Sequence, residues 1–283
     1  MNTKNYLSIY AKSFNWSGFF LPKDIYIKCS KLYDFCRTVD NIADQEANLD
    51  HKKKELIKFR TNFENKDFKN EVIKNMWELI DEFNISQKIV ADLFDGVESD
   101  IRKEVKIKNE KELFIYSYRV AGTVGLMMAK IFNIKKKESL QRAMYLGIAM
   151  QLTNIARDVF EDNARNRKYI CTKFSSIKDT IKEADIFYQK SFSSISVIPL
   201  RTRFSVIVAR RIYKKIGDYI LKHKDIESYE KAGKIYVPMI SKINETFLSI
   251  FDFIKLLFIK KISYDNYDNH NILAQEINLN ERV

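Results

Sequence analysis

Two pairs of aspartates, each pair spaced four residues apart, are the residues of this sequence best suited to chemistry. Asp40 and Asp44 lie in CRTVDNIADQ, and Asp158 and Asp162 lie in NIARDVFED. Aspartate is a poor helix former and costs free energy to bury, yet both segments are otherwise rich in apolar residues. Carboxylates on the inner side of such segments indicate a binding site.

Each pair ends a stripe of polar side chains. The members of a stripe recur every three or four residues, so they share one face of a helix. The first stripe is Tyr33, Arg37, Asp40 and Asp44, and the second is Gln151, Asn154, Asp158 and Asp162. One such pair alone is usually a solvated helix face, but two matched stripes on two apolar helices favour a shared site.

Four carboxylates around one cavity would repel each other strongly unless cations lie between them. Mg²⁺ prefers oxygen ligands and typically takes one or two carboxylates together with phosphate oxygens and water. Mn²⁺ is the alternative ion. Arg37, Arg157 and Arg167 suit phosphate oxygens. The sequence therefore predicts a diphosphate that is bound through Mg²⁺.

The elements that position these residues are predicted to be helices. The 283 residues include only 7 glycines and 3 prolines, too few for the many turns of an all-β fold. No internal repeat, low-complexity tract or linker-like change in composition divides the chain. We therefore expect an all-α protein in which residues 1–283 form a single domain, with a tail that frays after about residue 264.

Hydrophobic periodicity sets approximate helix boundaries. Pro22 suits the first turn of a helix that continues to about Gln45, and Ser175 or Ser176 can cap a later helix. Asn84 or Ser86 can cap another. No segment is predicted to be a strand. The predicted helices span about 22–45, 51–64, 68–83, 86–104, 109–133, 137–164, 176–194, 199–222 and 235–260.

Charge and composition narrow the class of partner. The formal charge of +12 suits nucleic acid, anionic lipid or phosphorylated ligands. Lysines occur throughout the chain rather than in one segment, so we expect no nucleic-acid partner. Three cysteines without C-x-x-C spacing and three histidines outside any ligand pattern argue against a zinc site or a disulfide framework.

Two segments bear on membranes. The N-terminal residues lack the uninterrupted apolar core of a signal peptide, so we expect none. The most apolar later stretch, Phe247 to Ile259, contains Asp252 and Lys255 and is short for a membrane span. It is expected to be a core helix or a helix that lies on a membrane.

Four motifs resemble those of the squalene/phytoene synthase family, the head-to-head prenyl synthases. KSFNWSGFFLP (12–22) resembles the N-terminal serine-phenylalanine segment of the family, and YDFCRTVDNIAD (33–44) resembles its first aspartate-rich motif. YSYRVAGTVGLM (116–127) is similar to its tyrosine and VAGTVG motif, and QLTNIARDVFEDNARNRKYI (151–170) to its second aspartate-rich motif. The resemblance covers roughly residues 10–240.

The resemblance implies an all-α isoprenoid-synthase fold, a helical bundle around a central cavity. It implies that one prenyl diphosphate ionises to an allylic cation, which the alkene of a second attacks to give a cyclopropylcarbinyl diphosphate. That intermediate ionises, rearranges and loses a proton to give phytoene or dehydrosqualene. Squalene synthases instead use a hydride from NADPH, so no NADPH is expected for a phytoene synthase.

The resemblance also implies roles for individual residues. Those expected to act in catalysis are Asp40, Asp44, Asp158, Asp162, Tyr118 and Arg37. Those expected to bind metal are Asp40, Asp44, Asn154, Asp158 and Asp162. Those expected to bind substrate are Ser13, Tyr33, Arg37, Val120, Gly122, Gly125, Gln151, Asn154, Arg157, Arg167, Tyr169 and Tyr213. The tyrosines would line the cavity, where an aromatic face stabilises a carbocation by roughly 0.5–2 kcal/mol.

Gly122 and Gly125 fall inside a predicted helix, where glycine costs about 1 kcal/mol relative to alanine. They indicate either room for a prenyl chain beside the backbone or tight packing between helices. Two positions depart from the family. Asn41 stands where the family commonly has a second aspartate, and Lys234 falls near the position of an arginine at the C-terminal end of the cavity.

The leading hypothesis is a phytoene synthase that joins two geranylgeranyl diphosphates. The alternatives are a dehydrosqualene, squalene or hydroxysqualene synthase that uses farnesyl diphosphate and, in another class, a non-catalytic prenyl-lipid-binding helper. The intact aspartate pairs disfavour the helper. Because substrate and product are very apolar, we expect a cytoplasmic protein, peripheral on the inner face of the membrane. It is expected to be a monomer or a weak homo-oligomer.

Overall fold

The structure is a computed structural model in which helices dominate. It describes residues 12–259, 272–273 and 277–282. In the first helix, side chains are described from Asn15 onward. The all-α prediction is confirmed. The α-helices are α1 (Lys12–Gly18), α2 (Lys23–Asp44), α3 (Leu49–Glu64), α4 (Glu71–Phe83), α5 (Gln87–Ser99), α6 (Glu110–Ser117), α7 (Thr123–Ile131), α8 (Lys137–Arg157), α9 (Val159–Ala164), α10 (Phe174–Phe192), α11 (Leu200–Ile220), α12 (Ile226–Ala232) and α13 (Met239–Leu257).

Asparagine side chains cap several of these helices. Asn48, Asn70 and Asn109 each accept a hydrogen bond from a backbone N–H in the first turn of α3, α4 and α6. The predicted cap at Asn84 is wrong, because Asn84 ends α4 in the left-handed conformation. Ser86 precedes α5 but makes no side-chain cap bond. The predicted cap at Ser175 or Ser176 is also wrong, since α10 begins at Phe174.

Two predicted helices are interrupted where they approach the site. The helix predicted over 137–164 breaks at Asp158, whose φ of −99° and ψ of 12° separate α8 from α9. The helix predicted over 109–133 contains a π-helical turn, Tyr118–Gly122, between α6 and α7. Such turns occur frequently at functional sites. Helix α12 lies in a segment for which the sequence predicts no helix.

A short pair of strands was not predicted. Strand β1 (Val105–Lys106) pairs in parallel with β2 (Arg167–Lys168), with Val105 opposite Arg167. The backbone N–H of Val105 donates to the carbonyl of Asn166, and that of Ile107 donates to the carbonyl of Lys168. Strands of two residues are too short to show the alternating hydrophobic pattern from which a strand is predicted.

Helix α8 lies at the centre of the molecule and packs against α7, α10 and α11. Helix α2 packs against α3, α4, α5 and α7. The largest apolar cluster contains the rings of Phe35, Phe63 and Phe94, whose centroids lie 5.4–5.9 Å apart. This packing holds α2 and α8, which carry the two polar stripes, within one framework.

Residues 277–282, a part of the tail that was predicted to fray, are packed against the rest of the chain. Ile277 and Leu279 are buried, and Ser86 donates a 3.0 Å hydrogen bond to the carbonyl of Glu281. Residues 277–282 therefore dock against α5. Within the described residues, no helix has both the length and the apolar character needed to cross a bilayer.

Candidate active site

A cavity of about 700 Å³ is lined by residues of α2, α7, α8 and α11. Its volume lies within the range of roughly 300–1,000 Å³ that is typical of ligand pockets. The lining positions of α8 recur every three or four residues, so one face of this helix follows the cavity. They include Ser139, Arg142, Ala143, Leu146, Gly147, Met150, Gln151 and Asn154.

The lining changes from apolar to charged along α8. Ala143, Leu146 and Met150 line one part, and Asn154 and Asp158 line the other. Because an α-helix rises about 1.5 Å per residue, Ala143 and Asp158 lie about 22 Å apart along the axis. A long cavity that is apolar at one end and charged at the other suits an amphiphile with an anionic head group.

Asp40 and Asp44 line the charged end. Burial raises the pKa of Asp40 to about 7, with Arg37 opposing the shift and the Asp44 carboxylate adding to it. Asp44 accepts a 2.8 Å hydrogen bond from Nη1 of Arg167. Nη1 of the more exposed Arg165 lies 3.8 Å from the same oxygen. The first aspartate pair is therefore only partly neutralised by arginine.

Asp158 and Asp162 line the same cavity. Arg157 binds Asp158 with two hydrogen bonds, 2.7 Å from Nε to Oδ1 and 2.6 Å from Nη2 to Oδ2. Nζ of Lys234 lies 3.2 Å from Oδ1 of Asp158. Burial raises the pKa of Asp162 to about 7, and the nearby Asp158 carboxylate adds to the shift. The structure thus brings the two predicted stripes to one end of one cavity.

The β1–β2 pairing places Arg167 between the two aspartate motifs. Asn166 has a φ of 58°, so the chain turns in the left-handed conformation directly before β2. From there Arg167 reaches Asp44 and also donates a 3.2 Å hydrogen bond to the carbonyl of Ala43. The second motif is in this way attached to the end of α2.

The donor set at the charged end fits a divalent cation that shares its ligands with a bound anion. In the described part of the chain, no group of three or more His, Cys, Asp or Glu side chains is arranged to hold a metal ion by itself. The two aspartate pairs offer carboxylates from two sides instead. Oδ1 of Asn154 is buried and accepts no hydrogen bond from the described residues, which leaves it available as a further oxygen ligand. Mg²⁺ usually combines a few protein oxygens with phosphate and water.

A buried hydroxyl cluster lies beside the aspartates, and only one of its three residues, Tyr169, was predicted from the sequence. Asp100 accepts a 2.7 Å hydrogen bond from Tyr169 and a 2.8 Å hydrogen bond from Tyr116, and the two hydroxyls lie 2.9 Å apart. All three residues line the cavity. Burial raises the pKa of Asp100, while Arg167 and the two tyrosine hydroxyls oppose the shift.

Tyr116 occupies the place that the sequence analysis gave to Tyr118. The prediction that Tyr118 lines the cavity is wrong, because this side chain is fully buried and donates a 2.6 Å hydrogen bond to Asp92. Residues two apart on a helix point roughly 200° apart, so only one of them can face the cavity. The YSY motif contains both tyrosines, and its letters alone do not show which one faces inward.

The glycines of the VAGTVG motif serve helix packing. A Cβ on Gly125 would clash with the carbonyl oxygen of Ala143 in α8, and one on Gly147 would clash with that of Ala121. A Cβ on Gly122 would lie 3.0–3.4 Å from the side chains of Tyr118, Met144 and Ile148. Gly122 does not line the cavity, which corrects its placement, whereas Gly125 does.

The remaining predicted site residues differ in whether they line the cavity. Most of them line the cavity; these are Tyr33, Arg37, Val120, Gln151, Arg157, Arg167, Tyr169 and Tyr213. Ser13 lies in α1, but its side chain is outside the described residues. Asn41 belongs to α2 and, unlike Asp40 and Asp44, is not among the lining residues. The roles of these residues stay predictions.

Known structures identify the class of fold. A crystal structure of a dehydrosqualene synthase matches with a TM-score of 0.72 and 24% sequence identity, over 88% of this chain and 94% of that one. A squalene synthase from Alicyclobacillus acidocaldarius matches with a TM-score of 0.62 and 19% identity, over 79% of this chain and 91% of that one. The protein therefore has the helical isoprenoid-synthase fold.

The chain belongs to the squalene/phytoene synthase family, because the model of that family matches residues 8–175, more than half of its length. It is 30% identical to the 15-cis-phytoene synthase of Pantoea ananas over 155 residues, 47% of this chain and 50% of that protein. It is 30% identical to the presqualene diphosphate synthase of Sinorhizobium fredii over 142 residues, 50% of this chain and 51% of that protein. The chain thus spans about half the length of these two relatives.

Proposed function

We propose that this protein joins two prenyl diphosphates head to head, as a phytoene synthase that condenses two geranylgeranyl diphosphates for carotenoid biosynthesis. The observation that carries the proposal is the polarity of the cavity, which is apolar along Ala143, Leu146 and Met150 and charged at Asp40 and Asp158. Such a cavity accommodates prenyl chains at one end and diphosphates at the other. The phytoene synthase of Pantoea ananas supports the choice of product.

Mg²⁺, or Mn²⁺ in its place, is proposed as the cofactor. The residues that would hold it are Asp40, Asp44, Asn154, Asp158 and Asp162. A bound divalent cation neutralises the charge of the leaving diphosphate. The raised pKa values of Asp40 and Asp162 support this assignment, because they reflect buried carboxylates whose charge the nearby arginines offset only in part.

The arginines of the site would hold and orient the diphosphate. Arg157 and Arg167 already bind Asp158 and Asp44, and Arg37 lines the cavity beside Asp40. Their guanidinium groups match phosphate oxygens in pairs. The rings of Tyr33 and Tyr213 line the cavity and would stabilise an allylic cation by roughly 0.5–2 kcal/mol.

A head-to-head synthase that uses farnesyl diphosphate as its substrate is the second candidate. The relative from Sinorhizobium fredii is a presqualene diphosphate synthase and is as similar to this chain as the phytoene synthase of Pantoea ananas. Dehydrosqualene, squalene and hydroxysqualene are then the alternative products. NADPH is expected to be needed only for squalene.

Product analysis tests the proposal. Purified protein with Mg²⁺ is given farnesyl or geranylgeranyl diphosphate, with and without NADPH, and the products are identified by mass. Phytoene from geranylgeranyl diphosphate is the expected result, and a C30 product instead would select the second candidate. No condensation product under any condition would refute the enzyme and leave a prenyl-lipid-binding helper, which would still bind the diphosphates.

Substitutions in the two aspartate motifs test the site. Asp40→Ala and Asp158→Ala are each expected to abolish turnover while leaving the helical content unchanged. Asp81→Ala is the matched control, because Asp81 is an exposed residue near the end of α4 and does not line the cavity. An active Asp40→Ala/Asp158→Ala double variant would refute the metal assignment.

We also propose that the protein is peripheral on the inner face of the membrane. Helix α13 has its polarity reversed, since Glu245 and Ser249 are buried whereas Ile240, Phe247 and Phe251 are 74%, 64% and 69% exposed. A large exposed apolar face marks an interaction surface. Nε1 of Trp16 in α1 donates a 3.0 Å hydrogen bond to Oγ1 of Thr246 in α13. Phe19, three residues after Trp16 in the sequence, has an exposed ring that could extend this apolar surface.

Charge favours an anionic bilayer as the partner of this face. Lys255 lies exposed in the last turn of α13, and the chain as a whole carries a formal charge of +12. Basic residues next to an apolar helix face are typical of proteins that bind anionic lipid. The cavity lining includes Ile235, Tyr236 and Val237 just before α13, so an apolar product could pass directly to the membrane.

Vesicle flotation tests the membrane contact. The protein is expected to float with vesicles that contain phosphatidylglycerol and to float less with pure phosphatidylcholine. Phe247→Ser/Phe251→Ser should abolish flotation, and Ile57→Ser, at an exposed apolar position of α3, should not. Equal flotation of both variants would contradict the assignment to α13.

A further inference from the structure

A buried carboxylate outside the cavity binds the last described arginine of the chain. Asp92 of α5 is buried, and Arg282 holds it with two hydrogen bonds, 2.8 Å from Nε to Oδ2 and 2.9 Å from Nη2 to Oδ1. Tyr118 donates a 2.6 Å hydrogen bond to the same Oδ2. Arg282 and Tyr118 are therefore joined through one carboxylate, although 164 residues (282 − 118) separate them in the sequence.

The C-terminal segment is docked by further contacts of two kinds. Ile277 and Leu279 are buried apolar side chains. Lys88 forms an exposed ion pair with Glu281. Exposed pairs of this kind contribute little to stability, whereas the Arg282 pair is largely shielded from water. The Arg282–Asp92 pair is thus the polar contact of this segment with the largest expected effect.

Tyr118 begins the π-helical turn Tyr118–Gly122, which forms part of the cavity wall through Val120 and Ala121. Helix α5 also packs closely on this turn. A Cβ on Gly96 would lie 2.8 Å from Cβ of Arg119 and 2.9 Å from Cγ1 of Val120. Asp92 lies one turn before Gly96, so the C-terminal segment, α5 and the π-helical turn form one connected structure.

We propose that Arg282 is a positioning residue, which holds the π-helical turn in the cavity wall through Asp92 and Tyr118. The assignment of this wall to a prenyl chain rests on the proposed function, but the positioning itself does not. Without Arg282, Tyr118 is the one side-chain donor that the described residues still offer to the buried Asp92. Such a carboxylate is left as a buried charge without its cation, which is costly unless the surrounding structure opens toward water. This opening weakens the hydrogen bond between Asp92 and Tyr118 and loosens the turn.

Hydrogen exchange without substrate tests the proposal independently of any activity. Arg282→Gln is expected to accelerate exchange of the amides of residues 118–122 by about tenfold, the effect of losing roughly 1.4 kcal/mol of local stability. Exchange of the core amides of α11 between 207 and 212 should stay unchanged. Arg282→Lys keeps the charge without the paired geometry and should give an intermediate rate.

Two further variants separate positioning from general destabilisation. Asp92→Asn added to Arg282→Gln should restore slow exchange at 118–122, because a neutral amide needs no cation. Glu281→Gln, which removes only the exposed pair with Lys88, should have no effect. Unchanged exchange at 118–122 in Arg282→Gln, or an equal increase in α11, would overturn the proposal. If the synthase activity is confirmed, Arg282→Gln should raise the KM for the prenyl diphosphate more than it lowers kcat.

Discussion

Nη1 of Arg167 lies 2.8 Å from Oδ1 of Asp44, across 123 residues of sequence. This ion pair joins strand β2, which lies within the second aspartate motif, to the C-terminal end of α2, which carries the first motif. Arg167 is only 12% exposed, so the pair is poorly screened by water. Burial raises the pKa of Asp100, Asp40 and Asp162, and the same arginine opposes this rise at all three carboxyls. One guanidinium therefore compensates much of the negative charge at this end of the cavity.

Arg167→Gln is expected to weaken binding of Mg²⁺-pyrophosphate by at least about tenfold and to lower the free energy of unfolding by about 1–3 kcal/mol. The physical reason is that Asp44 and Asp100 lose their shared cation. Calorimetric titration and urea unfolding measure the two effects. Arg165→Gln is the matched control, because Arg165 is 58% exposed and 3.8 Å from Asp44. Equal losses in both variants would contradict the special position of Arg167.

The metal-free protein is expected to lose stability as the pH rises through neutrality. Burial raises the pKa of Asp40 and of Asp162 from 3.8 to about 7. Between these values the folded protein binds more protons at the two sites than the unfolded chain does. Their contribution to the free energy of unfolding is thus full below about pH 4 and is lost as the pH rises through about 7.

Asp40→Asn isolates one of these two contributions. The amide does not titrate, so the variant is expected to gain stability relative to the unsubstituted protein as the pH rises from about 4 to about 7, by up to about 1.4 kcal/mol per pH unit, and the difference should level off above about pH 7. Urea unfolding in the presence of a chelator measures the difference. Mg²⁺ with pyrophosphate should stabilise the unsubstituted protein and stabilise this variant much less. A difference that does not change with pH would contradict the burial of Asp40.

Tyr116 and Tyr118 are expected to respond differently to the loss of a hydroxyl. Tyr116→Phe should lower kcat at least about tenfold with a stability loss of about 1 kcal/mol, because Tyr116 lines the cavity and Asp100 keeps Tyr169 as a donor. Tyr118→Phe should lower stability by about 1.5–3 kcal/mol, because a buried bond to a carboxylate is lost. Its kcat should stay within about threefold at a temperature where it is folded. A large loss of kcat in Tyr118→Phe with little change in Tyr116→Phe would contradict the assignment of Tyr116, rather than Tyr118, to the cavity.

The aspartate stripes were predictable because helical spacing alone places Asp40 with Asp44 and Asn154 with Asp158 on one face. The features that the sequence analysis missed depend on contacts between distant segments. The break at Asp158, the β1–β2 pair and the docking of Arg282 on Asp92 each need a partner far away in the chain. Periodicity carries no information about such partners. For the same reason, the sequence shows that Tyr116 and Tyr118 lie on opposite faces of a helix but not which face meets the cavity.

Gly125→Ala is expected to lower the free energy of unfolding by at least about 2 kcal/mol. Its new Cβ would meet the carbonyl oxygen of Ala143, a backbone atom of α8 that cannot move without displacing the helix. Gly217→Ala in α11 is the matched control. There the nearest atom is Cγ2 of Ile181 at 3.1 Å, a side-chain atom that can shift, and alanine gains about 1 kcal/mol of helix propensity. Thermal and urea unfolding of the two variants measure the difference. A tolerated Gly125→Ala would show that α7 and α8 can separate, and the glycine would then have to be explained by a ligand in the cavity.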